Sequence, residues 1–101
     1  MGVQRIKLPS ELTIFTVEAF WKSLVEIIEK MNAIDERLLI LDFTTLEKID
    51  GAGIQLLLSL EKTILKEKIQ VKYENVKEPI RKILSLVGVE YLIVMAGEKN
   101  E

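Results

Sequence analysis

The sequence predicts an α/β fold: a mixed β-sheet packed with about three main helices, opening on an N-terminal hairpin and continuing in alternating strand-helix units. Three observations carry this expectation. The run Leu38 to Leu41 is continuously apolar and turns polar at Asp42, as a central strand covered on both faces does where it surfaces. A helix with a clear apolar stripe then opens on Gly51-Ala52-Gly53. From Leu38 onward strand and helix patterns alternate, which favours parallel pairing through right-handed crossovers.

In chain order, Val3 to Leu8 reads as a first strand with Ile6 and Leu8 on one face. Pro9 and Ser10 mark a turn, and Leu12 and Ile14 alternate with Glu11 and Thr13 in a second short strand, which predicts a hairpin. Thr16 is placed to cap a helix, with Phe15 and Phe20 spaced as a hydrophobic staple. Val17, Phe20, Trp21, Leu24, Ile28 and Met31 recur at helical spacing, with Trp21 expected in the core. Residues 32–37 form a polar connector into the central strand. In the next helix Gly53, Leu56, Leu57, Leu60 and Ile64 share one stripe, while Gln55, Ser59, Lys62 and Lys66 lie opposite. Ile69, Val71 and Tyr73 then alternate with polar residues in a strand with one wetter face. A last helix tolerates Pro79 near its start, buries Val76, Ile80, Ile83, Leu84 and Val87, and ends at Gly88. Tyr91 to Met95 reads as a final apolar strand, and residues 97–101 as a polar tail.

The 101 residues suit one domain, residues 1–101. With 49% hydrophobic residues, 30% charged residues and a formal net charge of -2, the chain suits a soluble protein and not a general nucleic-acid binder. It has no cysteine and no histidine, which excludes thiol nucleophiles, imidazole bases and the usual zinc sites. No apolar run approaches the roughly 18 residues of a membrane span, so no direct membrane insertion is expected, and the location expected is cytoplasmic.

The candidate site is the start of the central helix. Asp50 is a good N-cap because its carboxylate accepts from free amides of the first turn, and Gly51 and Gly53 leave that turn almost bare. Two readings stand together: glycines that let helix and strand pack closely, or a helix end open to a partner's backbone, a carboxylate or a phosphate. A dinucleotide-binding fingerprint fails, because its third glycine falls on Leu56. Ile54, Leu58 and Leu65 form a second apolar strip beside the core stripe, either covered by a neighbouring element or exposed as a partner-binding ridge. Asp42, Glu47 and Asp50 are carboxylates near one strand end, with neither histidine nor metal-ligand spacing, so no metal, no cofactor and no enzyme activity are expected. Thr44 and Thr45 are hydroxyls with no base nearby in sequence.

These residues resemble a known family. Asp42-Phe43-Thr44 followed by Ile49-Asp50-Gly51-Ala52-Gly53-Ile54-Gln55-Leu56-Leu57 is similar to the STAS signature, in which a strand ending in Asp-Leu-Ser leads to an Asp-Ser-Ser-Gly-Leu turn and a helix. Leu12-Thr13-Ile14 with the first helix, and the run from Glu78 to Val89, match the family's flanking parts. The resemblance implies a STAS-like fold and a bacterial, non-catalytic regulatory domain of the anti-sigma factor antagonist type. Its partner would be a serine kinase that is also an anti-sigma factor, bound through Asp50, Gly51, Ala52, Gly53, Ile54 and Leu58 by a monomer or weak dimer. Gly51 and Ala52 stand where that family carries serines, so the usual phosphoserine switch is missing, and Thr44 and Thr45 are the remaining phosphorylation candidates. The Gly-Ala-Gly-Ile-Gln variant also resembles STAS proteins of chemotaxis-type signalling clusters and of lipid-transport complexes. A small subunit of such an assembly, or a nucleotide- or anion-binding module, is the alternative.

Overall fold

The computed structural model describes residues 2–31 and 37–95. The expected connector before Arg37 and the tail from Gly97 lie outside the described residues. In chain order the elements are β1 (Gly2–Lys7), β2 (Glu11–Leu12), α1 (Val17–Met31), β3 (Arg37–Asp42), β4 (Lys48–Ile49), α2 (Gly51–Glu67), β5 (Gln70–Glu74), α3 (Glu78–Leu86) and α4 (Tyr91–Met95). The main sheet has the order β1-β3-β5 and a smaller one pairs β2 with β4, so the fold is of the expected α/β class with helices packed on strands.

All of these described pairings are parallel, as the crossovers α1 and α2 require. Leu39 and Leu41 of β3 are fully buried with Ile6 and Tyr73 on the face that meets the helices. The opposite face carries Val3, Arg5 and Lys7 beside Gln70, Lys72 and Glu74, and there Arg5 reaches across β3 to Asp42 at 3.4 Å and to Glu74 at 2.6 Å. The stripe expected on α2 is the buried one: Gly53, Leu56, Leu57, Leu60 and Ile64. Leu24, Ile28 and Met31 of α1 are buried, with Val17, Phe20 and Trp21 partly buried against the same core.

Four local expectations are corrected. There is no N-terminal hairpin among the described residues: β1 lies parallel to β3, and β2 lies parallel to β4. The inner edge of β1 is already used, with Leu8 N–H continuing its ladder to the Asp42 carbonyl at 2.9 Å. The Ser10 carbonyl accepts from Glu47 N–H at 2.8 Å and Lys48 N–H at 3.1 Å, which steers the next strand to β4. Second, Tyr91–Met95 is a short helix, entered by a turn at Gly88 with φ of 79°. A five-residue apolar run has no period that separates strand from helix, so the turn before it decides. Third, Thr16 turns its hydroxyl back, accepting from Thr13 N–H at 2.9 Å and donating to the Glu11 carbonyl at 2.8 Å, while Phe15 is exposed and no staple forms. Fourth, Val87 is exposed beyond the end of α3, whose buried positions are Ile80 and Leu84.

Candidate functional site

The site is assembled by the β2–β4 pair. Glu11↔Lys48 and Leu12↔Ile49 place the turn at Thr13 to Thr16 beside the start of α2. Asp50 joins the two pieces. Its Oδ1 accepts from Ala52 N–H at 2.9 Å and Gly53 N–H at 3.1 Å, and its Oδ2 accepts from Ile14 N–H at 3.0 Å. The Ile14 bond first, then those from Gly53 and Ala52, hold this carboxyl below the usual range. The cap is therefore as expected, but the first-turn amides of Ala52 and Gly53 are occupied by Asp50 itself. An anion arriving at this end would have to displace it.

The two glycines have different tasks. A Cβ on Gly53 would lie 2.2 Å from the Leu12 carbonyl oxygen and 2.7 Å from Ile49 Cγ1, so the helix approaches β2 as closely as only glycine permits. A Cβ on Gly51 would meet nothing within 4 Å. Gly51 is exposed, and Ala52, Ile54 and Leu58 are half-buried. Ile54 and Leu58 are partly covered by packing against the core, and Leu65, farther along α2, is exposed. Beside Ala52, between α1 and α2, a shallow groove of about 340 Å³ runs over Val17, Trp21 and Leu56.

Two surface residues went unassigned to the site in the sequence. Ile14 is 65% and Phe15 88% exposed, and both project from the turn that Asp50 ties to α2. The available signal was an apolar pair set inside a turn between Thr13 and Thr16. Replacing Asp50 by Asn keeps an acceptor for α2 but puts an amide where Oδ2 accepts from Ile14. Asp50→Asn is expected to speed hydrogen exchange at the Ile14 amide about tenfold, and Asp50→Ala to lower the melting temperature by several degrees as well.

Asp42 does not join Asp50. It sits at the end of β3, where its Oδ1 accepts from the Thr44 hydroxyl at 2.5 Å, Thr44 N–H at 2.9 Å and Asn75 Nδ2 at 3.0 Å. Thr44 is exposed but its hydroxyl is engaged by a carboxylate, a poor setting for a phosphate, and Thr45 is half-buried. Among the described residues no group of three acidic side chains is arranged to hold a metal, and no helix is long and apolar enough to cross a membrane.

Comparison with solved structures gives two close overlaps. One is a sulfate transporter family protein from Wolinella succinogenes, with a TM-score of 0.75 and 18% identity over 92% of this chain and 72% of that one. The other is the murine Solute Carrier 26 family member A9 anion transporter, with a TM-score of 0.71 and 27% identity over 87% of this chain. This chain spans only 14% of the murine protein. No curated protein matches it. The expected role as an anti-sigma factor antagonist, with a serine kinase or anti-sigma factor as partner, is overturned by these neighbours, both of which come from transporter proteins. The glycine and alanine at 51 and 52 agree with that correction, since neither offers a hydroxyl to a kinase. The family model for the STAS domain matches residues 2–99, and the chain belongs to the STAS domain family.

Proposed function

We propose that this chain is a STAS module of a membrane-transport assembly, docking on an anion-transporter protein through the start of α2. The observation that carries this reading is the overlap with the murine anion transporter, 27% identical over 87% of this chain. As a STAS domain the chain acts by binding and not by catalysis. The surface supports the reading: Gly51, Ala52, Ile54 and Leu58 follow Asp50 along α2, and Asp50, the charged residue among them, is engaged in three hydrogen bonds, one of which holds the turn with the exposed Ile14 and Phe15. A largely apolar patch whose one carboxylate is fixed by hydrogen bonds suits a protein contact.

The test is affinity capture from a lysate of the source organism, with Leu58→Lys and Phe15→Asp proteins in parallel and bound proteins identified by mass spectrometry. Circular dichroism checks that both variants fold; Phe15→Asp leaves the core untouched because Phe15 is exposed. Recovery of a transporter subunit that falls at least about tenfold in both folded variants is expected. Recovery of a signalling kinase instead, or equal capture by folded Leu58→Lys protein, refutes the assignment.

A further inference from the structure

β5 is an outer strand of the main sheet, paired with β3 on one side and with no described strand on the other. The Glu74 carbonyl accepts from Phe43 N–H at 2.9 Å, so the main-chain groups of Glu74 point toward β3. Successive residues of a strand aim their N–H and C=O groups to opposite sides. Those of Gln70 and Lys72 therefore face β3 as well, and those of Val71 and Tyr73 face outward. Among the described residues no turn, loop or helix takes the outward groups of Val71 and Tyr73. Two donors and two acceptors thus lie along the free edge, a template for one more strand.

Beside that edge runs a trough of about 540 Å³, open to solvent on one side. All the consecutive residues 69–73 border it, so both faces of β5 contribute, as they do to a space that follows the edge of a strand. The two sides of the trough differ in chemistry. On the helix side stand Ile64 and Leu65 of α2 and Leu92 of α4, with Leu65 65% exposed and Glu61 beside them. On the other side stand Gln70 and Lys72. Arg5 already holds the Glu74 carboxylate at 2.6 Å, so Lys72, 3.6 Å from the same group, keeps charge to offer a newcomer.

We infer that the free edge of β5 is a second docking site, which takes an extended segment of a partner protein as an added strand. Val71 and Tyr73 supply the main-chain hydrogen bonds, and alternation supplies the selectivity. The segment turns aliphatic residues toward Ile64, Leu65 and Leu92 and acidic residues toward Lys72, while Glu61 opposes acidic residues on the helix side. A second copy of this chain lacks that complementarity. An antiparallel pair that joins Val71 of one copy to Tyr73 of the other sets Lys72 against Lys72, and a pair centred on Tyr73 runs into Asn75, whose φ of 61° ends the strand. The site lies at the far end of α2 from Asp50 and stands or falls separately from docking there.

The test is an NMR titration of the full nitrogen-labelled chain with the blocked peptide acetyl-Val-Glu-Val-Glu-Val-amide at neutral pH. Saturable shifts are expected at Leu65 and residues 69–73, and hydrogen exchange at the Val71 and Tyr73 amides should slow about tenfold, while the Lys72 and Glu74 amides, already facing β3, change little. The same peptide with lysine for glutamate should bind about tenfold more weakly, and Lys72→Glu, at an exposed position, should reverse that order. Only one edge of the peptide meets β5. Methylating the amide nitrogens of either the valines or the glutamates should therefore abolish binding for one set and spare it for the other. Absence of saturable shifts, shifts centred on the groove between α1 and α2, equal binding of the lysine peptide, or equal effects of the two methylated sets overturns the inference. Slow exchange at Val71 and Tyr73 without peptide overturns it too, assigning the edge to a second copy if the protection grows with protein concentration and to this chain itself if it does not.

Discussion

Gly53→Ala is expected to destabilise the protein by about 3 kcal/mol, while Gly51→Ala in the same turn leaves stability unchanged or raises it by about 0.5 kcal/mol. The contrast rests on what the new methyl group meets. At Gly53 it lies 2.2 Å from the Leu12 carbonyl oxygen, and that oxygen also accepts the Asp50 amide at 3.3 Å. A backbone wall has no rotamer by which to withdraw, so the helix must shift away from β2 and loosen the Asp50 bonds. At Gly51 the methyl enters open space, and the residue is not among those with positive φ, so alanine only reduces the freedom of the unfolded chain. Urea denaturation of the two variants decides the matter. Similar midpoints would remove the close approach of α2 to β2 from the account of the site.

Asp42→Ala is expected to cost about 3 kcal/mol, because it strips several groups of their acceptor together. The Thr44 hydroxyl and amide and the Asn75 amide all donate to this carboxylate, and Arg5 lies 3.4 Å from it. Asn75 has a φ of 61°, so the residue that turns the chain out of β5 is held in a left-handed conformation with Asp42 as its anchor. The Thr44 hydroxyl first, then Asn75, the Thr44 amide and Arg5, lower the Asp42 ionisation to about 2. A carboxyl whose folded value lies below its unfolded value of about 3.9 contributes stability above that unfolded value. The contribution is lost as the pH falls from about 4 toward about 2. Wild-type stability should therefore drop across that window more steeply than that of Asp42→Ala. Parallel pH profiles for the two proteins would remove Asp42 from the acid response.

The start of α2 was legible in the chain because its signals are local. Asp50 caps amides only two and three residues ahead, and the spacing of Leu56, Leu57, Leu60 and Ile64 reports a single helical face. The missing hydroxyls at Gly51 and Ala52 were equally visible, and they already set the chain apart from phosphoserine-switched relatives. The choice of partner was not visible. A docking surface specifies its partner by shape and by groups drawn from distant segments, and here Ile14 and Phe15 join α2 only through the fold.

Local sequence by itself determined the longer helices and the central strand, where α2 begins and which of its faces turns inward, because caps and periodicity act between near neighbours, whereas the short run Tyr91–Met95 was too brief for its period to tell helix from strand. Tertiary structure alone decided how the strands pair. Ser10 meets Glu47 and Lys48 after α1 and β3 have intervened in the chain, β2 thereby joins β4 in place of β1, and the Leu12 carbonyl then sets the space that only Gly53 fits. Tyr73 follows the same division: its place on the buried face of β5 is a matter of alternation, whereas its contact with the Phe43 ring, centroids 5.0 Å apart, results from the pairing of β3 with β5. Strand partners and cavity walls are long-range choices, made among many segments of similar apolarity by whichever arrangement satisfies the backbone and fills the core.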